Sequence, residues 1–222
     1  MTREWMKRGR VSGVYAITPE IVDTPRLVAI VAAALTGGVR IVQYRNKTGS
    51  VGLRQFQCAA LVELLQDING TLIVNDDSRL AADVDAHGVH LGKDDDSLAD
   101  ARGRLGADKI IGVSCYNDLA RARALQAAGA DYVAFGSFFP SKTKPAAVCA
   151  SLELLSRAKT ELSLPVVAIG GINRDNAIRL IERDVDALAV LSALFCVDDV
   201  EREARVLSSL MTDRNSQLQE QE

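Results

Sequence analysis

The chain has 222 residues, 48% hydrophobic and 25% charged, with a formal net charge of −3. That length suits one large α/β domain, and the apolar share can fill a core without disulfide staples. The two signs of charge are interspersed, which excludes a basic nucleic-acid footprint, and no apolar run has the length of a membrane span. The basic start, residues 1–10, lacks the apolar stretch of a signal peptide. Cys58, Cys115, Cys149 and Cys196 form no Cys-x-x-Cys pair, so reduced, mostly buried thiols in a cytoplasmic protein are expected.

Short β-branched apolar runs alternate with longer amphipathic stretches along the chain. Strands are predicted over 13–18, 39–44, 71–74, 88–91, 110–114, 132–136, 166–169 and 187–191. Runs such as VVAIGG and LAVLS are apolar without alternation, as strands covered on both faces are. Helical patterns lie between them over 25–35, 51–65, 118–128, 151–161 and 175–183, with a short one over 78–84. Asn117-Asp118 supplies a capped start and Gly129 a stop for one of these, and Asn173 a cap for another. From Thr212 the chain turns polar, so a catalytic domain over 1–211 and a disordered tail over 212–222 are expected. Eight strand–helix units in this length favour a single closed (β/α)8 TIM barrel over an open doubly wound sheet. No Gly-x-Gly-x-x-Gly turn follows the first strand, which weakens a dinucleotide-binding reading.

In such a barrel the chemistry sits where strands end and βα loops begin. The second strand ends in Gln43-Tyr44-Arg45-Asn46-Lys47. At period two Gln43, Arg45 and Lys47 share one side, either as a grip for a phosphate chain or as a solvated strand end. The third strand ends in Asn75-Asp76-Asp77-Ser78 and the fourth in His90-Leu91-Gly92-Lys93 followed by Asp94, Asp95 and Asp96. Either acidic cluster alone is a helix-cap motif. Together, beside three polar or cationic side chains, they favour a magnesium–diphosphate site, because clustered carboxylates repel unless a cation lies between them.

Ser114 closes the fifth strand, as a ligand contact or a helix cap. The loop after the sixth carries Ser141-Lys142-Thr143-Lys144, which suits phosphate or a solvent-facing turn. Gly170-Gly171 and Leu191-Ser192 end the seventh and eighth strands, where barrels often bind phosphate. Tight packing of strand on helix is the alternative there. His87 and His90 are the only histidines, and no Ser-His-Asp arrangement can be assembled. Chemistry that leans on a departing diphosphate fits this inventory.

The motifs VQYRNK at 42–47, LIVNDD at 72–77, HGVHLGKDD at 87–95, IIGVSC at 110–115, GADYVAFGSFFPSKTK at 129–144 and PVVAIGGI at 165–172 together resemble the thiamine phosphate synthase family. The resemblance implies a (β/α)8 barrel and a magnesium (Mg2+)-dependent condensation of hydroxymethylpyrimidine diphosphate with a thiazole phosphate. It further implies Arg45, Lys47 and Lys144 as catalytic cations and Asp76 and Asp95 as metal ligands. Substrate contacts would come from the 43–47 run, Tyr44 and Asn46 included, and from Asn75, Ser114, Ser141, Lys142, Thr143, Lys144, Gly171, Leu191 and Ser192. Lys93, Tyr116 and Ser141 depart from the family pattern, where glutamine, histidine and threonine are usual. The partners expected are small-molecule substrates, with no nucleic acid and no membrane, and a homo-oligomer stays open. A thiazole tautomerase of the same superfamily and a non-catalytic barrel that binds thiamine precursors are the competing readings.

Overall fold

The computed structural model of the protein describes residues 11–140 and 149–219. Eight parallel strands close into a barrel in chain order, β1 pairing with both β2 and β8. They are β1 (Gly13–Ile17), β2 (Ile41–Tyr44), β3 (Thr71–Asn75), β4 (Gly88–Leu91), β5 (Ile110–Tyr116), β6 (Tyr132–Phe135), β7 (Val166–Ile169) and β8 (Ala187–Val190). The predicted strands coincide with these to within two residues at either end.

The helices between them are α1 (Thr24–Thr36), α2 (Val51–Gln66), α3 (Ser78–Asp83), α4 (Leu98–Leu105), α5 (Leu119–Ala127), α6 (Leu152–Glu161), α7 (Ile178–Ile181), α8 (Ser192–Phe195) and α9 (Val200–Gln219). Side-chain oxygens of Asp23, Ser50, Asp77, Ser97, Asp118 and Ser151 each accept a backbone N–H at a helix start. The unpaired donors of a first turn are thereby satisfied.

Two apolar cores follow from the strand period of two. One set of side chains packs between barrel and helices, among them Leu27, Val42, Leu61, Leu72, Val89 and Leu155. The alternate set fills the barrel itself with Tyr15, Ile41, Ile73, Ile110, Tyr132 and Val167. This inner plug closes the lower barrel and leaves a cavity only at the carboxyl ends of the strands.

Four expectations need correction. The 175–183 helix shrinks to α7, because Asn173 accepts from the N–H groups of Asp175 and Asn176 and holds the chain before it in turns. The polar segment from Thr212 was expected to lack structure, yet α9 continues to Gln219. No glycine or proline interrupts it, and leucine, glutamine and arginine favour a helix. Of the four free thiols only Cys58 and Cys115 are buried, while Cys149 and Cys196 are exposed. Helix α4 carries little apolar periodicity and was not anticipated. Among the described residues no helix is long and apolar enough to cross a membrane.

Candidate functional site

The cavity above the inner plug has a volume of about 920 Å³ and takes its walls from all eight strand ends. Gln43, Arg45, Lys47, Asn75, Asp76, Asp95, Ser114, Gly171, Leu191 and Ser192 all line it. Tyr44 and Asn46 do not. Tyr44 donates to Gln57 Oε1 in the helix layer at 2.8 Å, and Asn46 bonds the same amide and the N–H of Gly49. Period-two alternation turns both away from the cavity, which corrects their place in the substrate-contact set. Ser141, Lys142, Thr143 and Lys144 lie outside the described residues.

The cationic side is held by its surroundings. Arg45 donates from its backbone to Thr18 Oγ1 at 2.9 Å and from its guanidinium to Glu20 Oε1 at 2.8 Å. Glu20 also accepts from Thr48, so this rim is fixed in place before any ligand arrives. Lys47 Nζ reaches Asp76 Oδ2 at 2.9 Å.

Asp76 follows β3 with a φ of 65°, a left-handed conformation that aspartate tolerates better than most residues. Its N–H donates to the carbonyl of His90 at 2.8 Å, which ties the turn to β4. Asp95 curls back to accept from the N–H of Gly92 at 2.6 Å. The two carboxyls come within hydrogen-bonding reach of one another. Burial would raise Asp76, but Lys47 and Asp95 outweigh it and hold this carboxyl below its ordinary value. Burial and the neighbouring Asp76 push Asp95 upward instead. Two carboxyls that split their titration in this way are what an interposed cation would relieve.

The donor set therefore fits magnesium: hard oxygens from two carboxylates, with phosphate and water to complete an octahedron. Among the described residues no group of three or more metal-type side chains exists, so the chain supplies only part of a coordination sphere. The other acidic residues do structural work. Asp77 caps α3 and pairs with Arg54, and Asp96 bonds Ser78 and Arg104.

The opposite wall is built from backbone. Gly170 and Gly171 have φ of 103° and 64°. A Cβ on Gly170 would come within 2.0 Å of Ser137 Oγ, and one on Gly171 within 2.4 Å of the Pro140 carbonyl. Both glycines line the cavity while seating the β6–α6 loop, so the ligand and packing readings hold together here. The anion site expected at a helix start near Arg174 is not formed as such, since α7 begins only at Ile178.

Sequence reasoning missed the polar floor. Gln43 Nε2 lies 2.9 Å from Tyr15 Oη, which lies 2.8 Å from Tyr132 Oη. Tyr132 Oη in turn meets His90 Nδ1, and His90 Nε2 meets Ser114 Oγ, each at 2.9 Å. Burial lowers His90 to about 4 against a weaker opposing pull from Asp76, so the imidazole is neutral. Burial raises both phenols, which stay protonated. Tyrosines at inward positions of two strands were the available signal, because a buried hydroxyl needs a partner.

Similarity to known proteins agrees with this geometry. The family model described as thiamine monophosphate synthase matches residues 14–194. A thiamine-phosphate synthase of Thiobacillus denitrificans is 57% identical over 198 residues, covering 89% of this chain and 94% of that protein. One from Methylobacillus flagellatus is 52% identical over 200 residues, covering 90% and 95%. The solved structure of a thiamine phosphate pyrophosphorylase from Pyrococcus furiosus superposes with a TM-score of 0.83 at 32% identity, covering 94% of this chain and 98% of that one. The chain belongs to the thiamine monophosphate synthase family.

Proposed function

We propose that this protein is a thiamine-phosphate synthase, joining hydroxymethylpyrimidine diphosphate to a thiazole phosphate or its carboxylated precursor. The products are thiamine monophosphate and inorganic diphosphate. Family membership supports the reaction. The residue roles rest on one observation above all: Lys47, Asp76 and Asp95 meet on one wall, opposite the glycine-lined wall of β7 and β8.

Asp76 and Asp95 would hold magnesium, which when bound neutralises charge on the departing diphosphate. Arg45 and Lys47 stabilise the same anion as the bond between methylene carbon and diphosphate oxygen breaks. Lys144, outside the described residues, is assigned to the same group by resemblance. The electron pair leaves with diphosphate, and the thiazole nitrogen supplies the pair that forms the new carbon–nitrogen bond. No proton must move in that step, consistent with a neutral, fully engaged His90. Gly171, Leu191 and Ser192 take the thiazole phosphate and point its nitrogen at the methylene carbon, which contributes through orientation.

The test is to incubate the protein with both precursors and magnesium and to quantify thiamine monophosphate and diphosphate. Equal amounts of the two products are expected. Isomerised thiazole with no product would assign a tautomerase, and binding without turnover a carrier.

A further inference from the structure

Five side chains from β1, β2, β4, β5 and β6 cross the cavity floor in one unbroken line: Gln43, Tyr15, Tyr132, His90 and Ser114. Only Tyr132 among them does not line the cavity. Donors and acceptors along this line are not independent. Gln43 donates through Nε2, so Tyr15 Oη accepts there and gives its own hydrogen to Tyr132. Tyr132, having accepted, donates to His90 Nδ1. A neutral imidazole then carries its hydrogen on Nε2 and donates it to Ser114 Oγ. Each buried hydroxyl both accepts and donates once, and the Ser114 hydrogen is left for the cavity. At the other end Gln43 Oε1 is left as an acceptor.

We propose that Tyr15, Tyr132 and His90 form a one-way hydrogen-bond chain that fixes Gln43 as acceptor and Ser114 as donor, so that the floor reads the polarity of a pyrimidine edge. Tyr132 is a positioning residue for this recognition. The ligand class is an aminopyrimidine, whose exocyclic amine donates while the adjacent ring nitrogen accepts. The corresponding oxo-pyrimidine presents the reverse, a carbonyl acceptor beside a ring N–H. To accommodate it the Gln43 amide must turn, both phenolic hydrogens must swing and His90 must change tautomer, all together. Breaking the line at Tyr132 lets either end reverse alone. The ligand assignment rests on the synthase reading, whereas the polarity of the line does not.

Two measurements decide it. Nitrogen-15 histidine spectra of the free protein report the tautomer of His90, and a hydrogen on Nε2 is expected. A hydrogen on Nδ1, or on both nitrogens near neutral pH, would overturn the chain as drawn, whatever the enzyme catalyses. Calorimetry with hydroxymethylpyrimidine and its oxo counterpart then compares the wild type with Tyr132→Phe, melting curves confirming the fold. Wild-type discrimination of about 100-fold or more is expected, falling at least about tenfold in the variant, since a site built to bond one pattern rejects its reverse strongly. Should Tyr132→Phe not fold, Tyr15→Phe cuts the same line. Equal weakening of both ligands at unchanged discrimination would reduce Tyr132 to a packing role and refute the proposal. Failure of the wild type to bind either ring would instead refute the pyrimidine reading, with the tautomer result still deciding the chain.

Discussion

Lys47 Nζ and Asp76 Oδ2 lie 2.9 Å apart, joining the cationic end of β2 to the acidic turn after β3. The pair sits at the cavity mouth, with Lys47 55% exposed. Ion pairs this open contribute about 1 kcal/mol or less to stability. Its value lies in holding an ammonium beside the carboxylates, where diphosphate charge must be met.

Lys47→Ala should therefore lower turnover by at least about a hundredfold, the worth of one preorganised charge. Its melting temperature should stay close to wild type. Steady-state kinetics beside thermal melts check both halves.

Asp95→Asn removes one of two carboxylates proposed to hold magnesium. The magnesium concentration giving half-maximal turnover should rise by at least about tenfold, comparable with losses seen when metal-site support is removed. A metal titration of initial rates measures the shift, and an unchanged midpoint would remove Asp95 from the metal site.

Gly112 faces the barrel interior on β5, and a Cβ there would fall 1.9 Å from Tyr132 Cζ. Tyr132 is fully buried and bonded at its hydroxyl to both Tyr15 and His90, so its ring has no easy retreat. Gly112→Ala should cost about 1–3 kcal/mol through overpacking. Urea denaturation at constant slope would measure it.

Burial pushes Cys115 from 9.0 up to about 12 and raises Cys58 further in the same direction. The folded state keeps these thiols protonated where the unfolded chain ionises. Their contribution is full below about pH 9 and is lost as pH rises toward the folded values. Stability should fall over that alkaline range, measured by denaturant midpoints against pH. In the native protein at mildly alkaline pH a thiol reagent should label Cys149 and Cys196 and spare Cys58 and Cys115.

Much of this was legible in the sequence because the signals are local. Unalternated apolar runs marked strands covered on both faces, and period two placed Gln43, Arg45 and Lys47 on one wall. The same period, followed strictly, also turns Tyr44 and Asn46 outward. What could not be read depends on the registers of distant strands. Tyr15 and Tyr132 are 117 positions apart and meet only because the barrel closes. The seating of Gly170 and Gly171 against the β6–α6 loop is likewise a contact between loops, invisible to any window of sequence. Helix α7 is short because an asparagine turn holds 173–177, a choice that side-chain geometry makes and periodicity does not.

A crystal structure of the protein with thiamine monophosphate, diphosphate and manganese in place of magnesium would test the division of the cavity. Anomalous density between Asp76 and Asp95 is expected, with diphosphate against Arg45 and Lys47 and the thiamine phosphate against Gly171 and Ser192. Manganese bound elsewhere, or the two phosphate groups exchanged between the walls, would contradict the assignment.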